Sequence, residues 1–247
     1  MSDVLSWIRL SGPFMIGHRG FPTAARENTL PSFEAALEAS CDGVELDVRL
    51  TEDGVAVVHH DETVEGDEGQ EKIAELPWKR IEGRTFLSGQ RSYPIHRLDQ
   101  VLETLSGRGL INVEVKPPVD EHHDRTAAVV IDCVDRVRPR ESLLISSFDP
   151  AMLNAIRTRD RGLLLGFLFS SNRDFNHLEQ DEAVDVLSAI HPRHDLVDAK
   201  LVKRAGERGL NVHTWTVDDP AEATRLLDLG VTSVITNRPD KVAQALY

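Results

Sequence analysis

Eight short apolar runs recur along the chain, nearly all followed by a stretch of helical periodicity, and this rhythm limits the fold more than any other feature. The runs lie at 14–16, 43–48, 110–116, 143–146, 163–168, 186–190, 211–216 and 231–236. Between them, Asn28-Thr29 and Asp149-Pro150 read as helix starts, and Gly209 and Gly230 read as helix stops. Helices are expected at 30–40, 97–106, 121–137, from 150, at 197–208 and at 219–229, with one more closing the chain. Strand–helix alternation builds parallel sheet, and eight units in 247 residues is the bookkeeping of an α/β fold, a (β/α)8 TIM-type barrel. A doubly wound open sheet is the competing fold. It lacks support, because no glycine-rich phosphate-binding turn follows the first strand.

One segment breaks the rhythm. After a further short strand at 55–58, residues 62–96 are polar and carry Gly66, Gly69, Gly83 and Gly89. They include one amphipathic piece around 73–78. This is too long for a plain connection and reads as a small insertion after the second strand, placed to act as a lid. The expected organisation is a single barrel domain over 1–247 that contains this insertion.

Charge narrows the partners. Acidic residues outnumber basic ones, 41 to 28, for a net charge of −13. That argues against nucleic acid or an anionic membrane as the main partner. No apolar run approaches ~18 residues, so no stable membrane anchor is expected. The first residues lack a basic stretch followed by an apolar core. Cys41 and Cys133 have neither pairing nor metal-ligand spacing and are expected to be free, buried thiols in the cytoplasm.

Polar residues collect at the strand ends, which face one mouth in a barrel. Gly17-His18-Arg19-Gly20 follows the first strand, joining a proton carrier to a planar cation that suits phosphoryl oxygens. Glu45 and Asp47 alternate with Val44, Leu46 and Val48, so both acids share the opposite face from the apolar set. Glu114 and Lys116 repeat that spacing on the third strand, His60 ends the 55–58 extension, and Trp215 ends the seventh. Three carboxylates without a cysteine or histidine cluster suit one hard divalent cation, Mg²⁺ or Ca²⁺. Arg19 and Lys116 then face phosphate oxygens, and His18 and His60 form a possible acid–base pair. Spacing does not choose between His60 and its neighbour His59.

His18-Arg19-Gly20, Glu27-Asn28-Thr29, Glu45-Leu46-Asp47, Thr51-Glu52-Asp53-Gly54, His60-Asp61 and Glu114-Val115-Lys116-Pro117 together resemble the glycerophosphodiester phosphodiesterases. Ser147-Phe148-Asp149-Pro150, Trp215-Thr216-Val217 and Thr236-Asn237-Arg238-Pro239 extend the resemblance over nearly the whole chain. It implies metal-dependent hydrolysis of glycerophosphodiesters to sn-glycerol 3-phosphate and an alcohol. It further implies a metal on Glu45, Asp47 and Glu114, catalysis by His18 and His60, phosphate binding by Arg19 and Lys116, and a pocket wall at Trp215. The pattern of histidine directly before aspartate selects His60 over His59. Two places depart from the family pattern: 62–67, where an Arg-Thr-Thr-like run is usual, and Ile95-His96-Arg97-Leu98, where Ile-Pro-Thr-Leu is usual. Both bear on alcohol specificity. The alternatives are a lysophospholipase D-type phosphodiesterase on the same barrel and a non-catalytic phosphodiester-binding protein.

Overall fold

The computed structural model describes residues 6–7, 12–66, 69–88, 91–118, 122–171, 176 and 186–246. Eight parallel strands form the barrel. They are β1 (Phe14–Gly17), β2 (Gly43–Leu50), β8 (Leu110–Val115), β9 (Leu143–Ser147), β10 (Leu164–Phe169), β11 (Ala189–Pro192), β12 (Asn211–Thr214) and β13 (Ser233–Thr236). β1 pairs with both β13 and β2, which closes the sheet on itself. Helices α1 (Leu30–Glu38), α3 (Leu98–Leu105), α4 (His123–Val134), α5 (Pro150–Arg159), α6 (Ala199–Glu207), α7 (Pro220–Asp228) and α8 (Pro239–Leu246) alternate with the strands.

The alternation within each strand divides the core in two. Val44, Leu46 and Val48 of β2 and Ile111, Val113 and Val115 of β8 point outward into the layer shared with the helices. The inward set is smaller and mixed. Phe14, Ile16, Leu110, Leu144, Ala189 and Ile235 pack inside the barrel around Trp7, whose indole N–H donates to the Ser142 carbonyl at 2.9 Å. Trp7 thereby fills the barrel at the N-terminal ends of its strands. Above it lie two wholly buried histidines, His191 and His213, with ring centroids 5.0 Å apart.

Several helix starts use the devices expected of them. Thr29, Asp149, Asp198 and Asp219 all cap a following helix with their side-chain oxygens. The sixth barrel strand is Ala189–Pro192, displaced from the apolar run at 186–190. Its inward position is filled by a buried histidine, which reads as a break in an apolar pattern. Helix 121–137 is shorter at both ends, and its first expected residue, Glu121, lies outside the described residues. Cys41 is buried as expected, whereas Cys133 is only half-buried, and both thiols are free.

The 62–96 segment is built from two hairpins. β3 (Ala56–Val58) runs antiparallel to β2 and leads into it. The first hairpin joins β4 (Thr63–Gly66) to β5 (Gly69–Lys72), and the second joins β6 (Thr85–Ser88) to β7 (Arg91–Pro94). A 3₁₀ turn at Ile73–Glu75 and the short helix α2 (Trp78–Ile81) connect them. Val64, Ile73, Leu76, Ile81 and Ile95 of the segment pack with Val57 of β3 into a small core.

Candidate active site

The turn after β1 is held by close backbone approach. A side chain at Gly17 would meet the Gly20 carbonyl oxygen at 2.6 Å and Ala36 at 2.8 Å. Arg19 then takes a left-handed conformation, φ 55°, that L residues adopt at a cost. Its carbonyl accepts from the Asn28 amide at 3.0 Å and from Ser32 Oγ at 3.0 Å, tying the turn to the start of α1. Its own amide donates to Glu45 Oε2 at 3.0 Å. The guanidinium reaches Asp47 through Nε at 3.1 Å and Glu27 through Nη1 at 3.1 Å. His18 extends the barrel ladder, its amide donating to the Thr236 carbonyl at 2.8 Å. The His18 side chain lies with Nε2 4.0 Å from Glu45 Oε2.

Parallel pairing of β2 with β8 sets the acids side by side. Glu45 is in register with Asn112, and Asp47 with Glu114. One oxygen from each of Glu45, Asp47 and Glu114 can be chosen so that all lie within 4.8 Å of one another, and all three residues are buried. Asn28 grips Asp47 twice, donating Nδ2 to Oδ2 at 2.7 Å and accepting the Asp47 amide at 3.1 Å. Lys116 Nζ lies 2.7 Å from Asp47 Oδ1 and also contacts Glu114.

Burial, with Asp47 and Glu114 nearby, pushes the Glu45 carboxyl well above its ordinary value. Burial would raise Asp47 too, but Lys116 and Arg19 outweigh it and bring Asp47 down to about 2. Burial and then Asp47 raise Glu114. The three acids thus resist sharing full negative charge without more cation than the protein supplies. Glu45 Oε1 is buried and has no hydrogen-bond partner among the described residues, a loss worth about 1–3 kcal/mol. An all-oxygen donor set with one free buried carboxylate oxygen fits a hard divalent cation.

The two histidines beyond β3 separate cleanly. His60 lines the same cavity as His18. Its Nδ1 donates to Asp61 Oδ1 at 2.8 Å, and its carbonyl accepts from Arg49 Nε at 2.8 Å. His59 is 5% exposed, turned away, with Nε2 3.0 Å from the Thr63 carbonyl, and burial lowers its pKa. Trp215 completes the far wall. Its indole N–H donates to the His191 carbonyl at 2.8 Å, and its ring meets Phe148 edge-on at 5.4 Å.

One cavity of about 240 Å³ therefore gathers His18, Arg19, Glu45, Glu114, Lys116 and His60, with Trp215 opposite. Asp47 sits directly behind them, under Lys116. Asn112, Phe148, Leu168 and Ile235 also line it, and sequence reasoning assigned them no role. Phe148 and Asn237 stood in family-like motifs. Asn112 was legible only as the inward position before Glu114. No described residue of 62–96 lines this cavity. Glu62, Ile73, Ala74 and Glu75 instead wall a neighbouring cleft of about 220 Å³, which meets the first at Lys116. The described residues of the insertion flank the site rather than covering it.

Phosphate-ester hydrolysis on a (β/α)8 barrel is the class that this fold and this mouth define. Within that class the chain belongs to the glycerophosphoryl diester phosphodiesterase family, whose model matches residues 18–241. A glycerophosphodiester phosphodiesterase from Caldanaerobacter subterraneus subsp. tengcongensis is 29% identical over 92% of this chain and 94% of its own length. A phosphodiesterase of Oleispira antarctica, solved in complex with the product sn-glycerol-3-phosphate, superposes with a TM-score of 0.81 at 25% identity, covering 94% of this chain and 96% of that one. A candidate glycerophosphoryl diester phosphodiesterase from Silicibacter pomeroyi superposes at 0.83 with 26% identity, covering 96% and 93%. Among the described residues, no helix is long and apolar enough to cross a membrane.

Proposed function

We propose that this enzyme hydrolyses glycerophosphodiesters to sn-glycerol 3-phosphate and an alcohol, using His18 and His60 to move the protons. The observation that carries this reading is the convergence of both histidines, two cations and the acidic cluster on one cavity. Arg19 and Lys116 bind the phosphate oxygens and stabilise charge as it builds there. One histidine removes a proton from the attacking oxygen, and the other delivers a proton to the departing alkoxide. Trp215 packs against the apolar face of the substrate.

Glu45, Asp47 and Glu114 would hold one divalent cation, Mg²⁺ or Ca²⁺. Bound there, it supplies positive charge to a phosphate oxygen beyond what Arg19 and Lys116 provide. The substrates are small molecules of the kind left when a glycerophospholipid loses both acyl chains, which makes the reaction part of lipid and glycerol metabolism. We read 1–247 as one catalytic domain with 62–96 inserted, working in the cytoplasm. Two thiols without a disulfide support that location.

Glycerophosphocholine incubated with the protein and Mg²⁺ or Ca²⁺, with and without EDTA, tests the reading. Release of sn-glycerol 3-phosphate that EDTA abolishes is expected. Its absence with every cation rejects the proposal.

A further inference from the structure

Asn112 stands out among the polar groups inside the barrel. It is 1% exposed, yet it lines the catalytic cavity, and neither its Oδ1 nor its Nδ2 has a hydrogen-bond partner among the described residues. A buried carboxamide left without partners is costly, and its two ends can accept and donate at the same place. A substrate group that does both would satisfy it, and an alcohol hydroxyl is the simplest such group.

Depth selects which hydroxyl. Asn112 is in register with Glu45, one inward step deeper than the Asp47–Glu114 pair that Lys116 spans. Lys116, which would draw a phosphate, therefore stands above it. Leu168 and Ile235 line the same cavity and offer surface only to carbon. A small, neutral, hydroxyl-bearing end of a phosphodiester fits this floor. The variable alcohol has to leave toward the open mouth.

We infer that Asn112 is the specificity-determining residue that reads a hydroxyl of the glyceryl end. This rests on the cavity being the glycerophosphodiester site proposed above. Asn112→Leu keeps the approximate shape and removes both polar ends. Asn112→Ser, a smaller residue, guards against a folding failure. Both are assayed on glycerophosphocholine and on bis(p-nitrophenyl) phosphate, a diester without hydroxyls, alongside thermal melting. The expected result is a loss of kcat/KM at least tenfold greater on glycerophosphocholine, carried mainly by KM, with less effect for Asn112→Ser. Equal losses on both substrates, or no loss on either, overturn the inference.

Should wild-type protein fail to turn over glycerophosphocholine, the proposed reaction fails, and binding decides the role of Asn112 separately. Calorimetric titration then compares sn-glycerol 3-phosphate with inorganic phosphate. A wild-type preference for the glyceryl ester that Asn112→Leu abolishes supports the inference. A wild-type protein without that preference overturns it.

Discussion

His18 Nδ1 donates to Asn237 Oδ1 at 2.7 Å, joining the ends of the first and last barrel strands, which lie side by side. The orientation of that amide is itself determined, because Asn237 Nδ2 donates to Asp218 Oδ2 at 3.0 Å. Asp218 Oδ1 also accepts from the Asn237 amide at 2.7 Å. Asp218 thus turns the carbonyl end of Asn237 toward His18, and the neutral imidazole carries its proton on Nδ1. Nε2 is left as the atom that can take a proton near Glu45.

Removing that orientation should cost turnover more than binding. Asn237→Leu is expected to lower kcat by about 10–100-fold with little change in KM. Steady-state kinetics on glycerophosphocholine measures both. A variant with wild-type kcat would show that His18 is oriented by something else.

The adjacent histidines should behave oppositely. His60→Ala is expected to lose about 10²–10⁴-fold in activity with little loss of stability. His59→Ala should stay within about threefold of wild-type activity while losing about 1–3 kcal/mol of stability, because the part-buried contact with the Thr63 carbonyl is gone. Parallel rate and denaturation measurements on the two variants check this. Similar rate losses at both positions contradict it.

Cation binding should also show as stability. A ligand at about 100 times its dissociation constant adds about 2.7 kcal/mol, or about 5–10 °C in Tm for a chain of this size. Calorimetric melting with saturating Mg²⁺ or Ca²⁺ is expected to show that rise, and Glu45→Gln to lose most of it. A wild-type Tm indifferent to either ion would dismiss the acidic cluster as a cation site.

The barrel interior sets a pH dependence of known sign. Burial lowers the His213 pKa to about 3, while the unfolded chain titrates near the ordinary value of 6.5. Between these pH values the unfolded state binds the proton and the folded state does not, so the contribution is complete above pH 6.5 and is lost as pH falls toward 3. Relative to His213→Leu, wild-type stability should therefore decline by up to about 1.4 kcal/mol per pH unit on acidification through that window. Urea denaturation of both proteins at pH 7, 6 and 5 gives the difference. Parallel stability curves would mean that His213 takes up its proton as readily in the folded as in the unfolded protein.

The legible parts of the fold were those where periodicity and burial agree. β2 announced itself because Val44, Leu46 and Val48 alternate with two acids, and the same residues placed Glu45 and Asp47 in the site. β11 lies displaced from its apolar run because an inward residue is His191, a polar group in a position where sequence patterns expect an apolar one. Asn112 is illegible for the same reason, since it is polar yet buried. A buried polar side chain looks like a solvated one until the neighbouring strands are in place. The orienting role of Asn237 was hidden more deeply, since it depends on His18 being brought to it from 219 positions away. The two hairpins of the insertion are too short and too polar to carry a strand signature, so their pairing emerges only with the small core beneath them.

Trp7 seated among Phe14, Ile16, Leu110 and Leu144 makes the barrel a blind well. Whatever enters by the rim has to depart by it. On the chemistry proposed above, the alcohol stands between the glyceryl ester and the exit, so the two products are released in sequence, alcohol first. The last occupant is then sn-glycerol 3-phosphate, which holds the position that the next substrate needs. Accumulated product acts as a stopper, and the enzyme's pace becomes tied to how fast its surroundings consume glycerol phosphate.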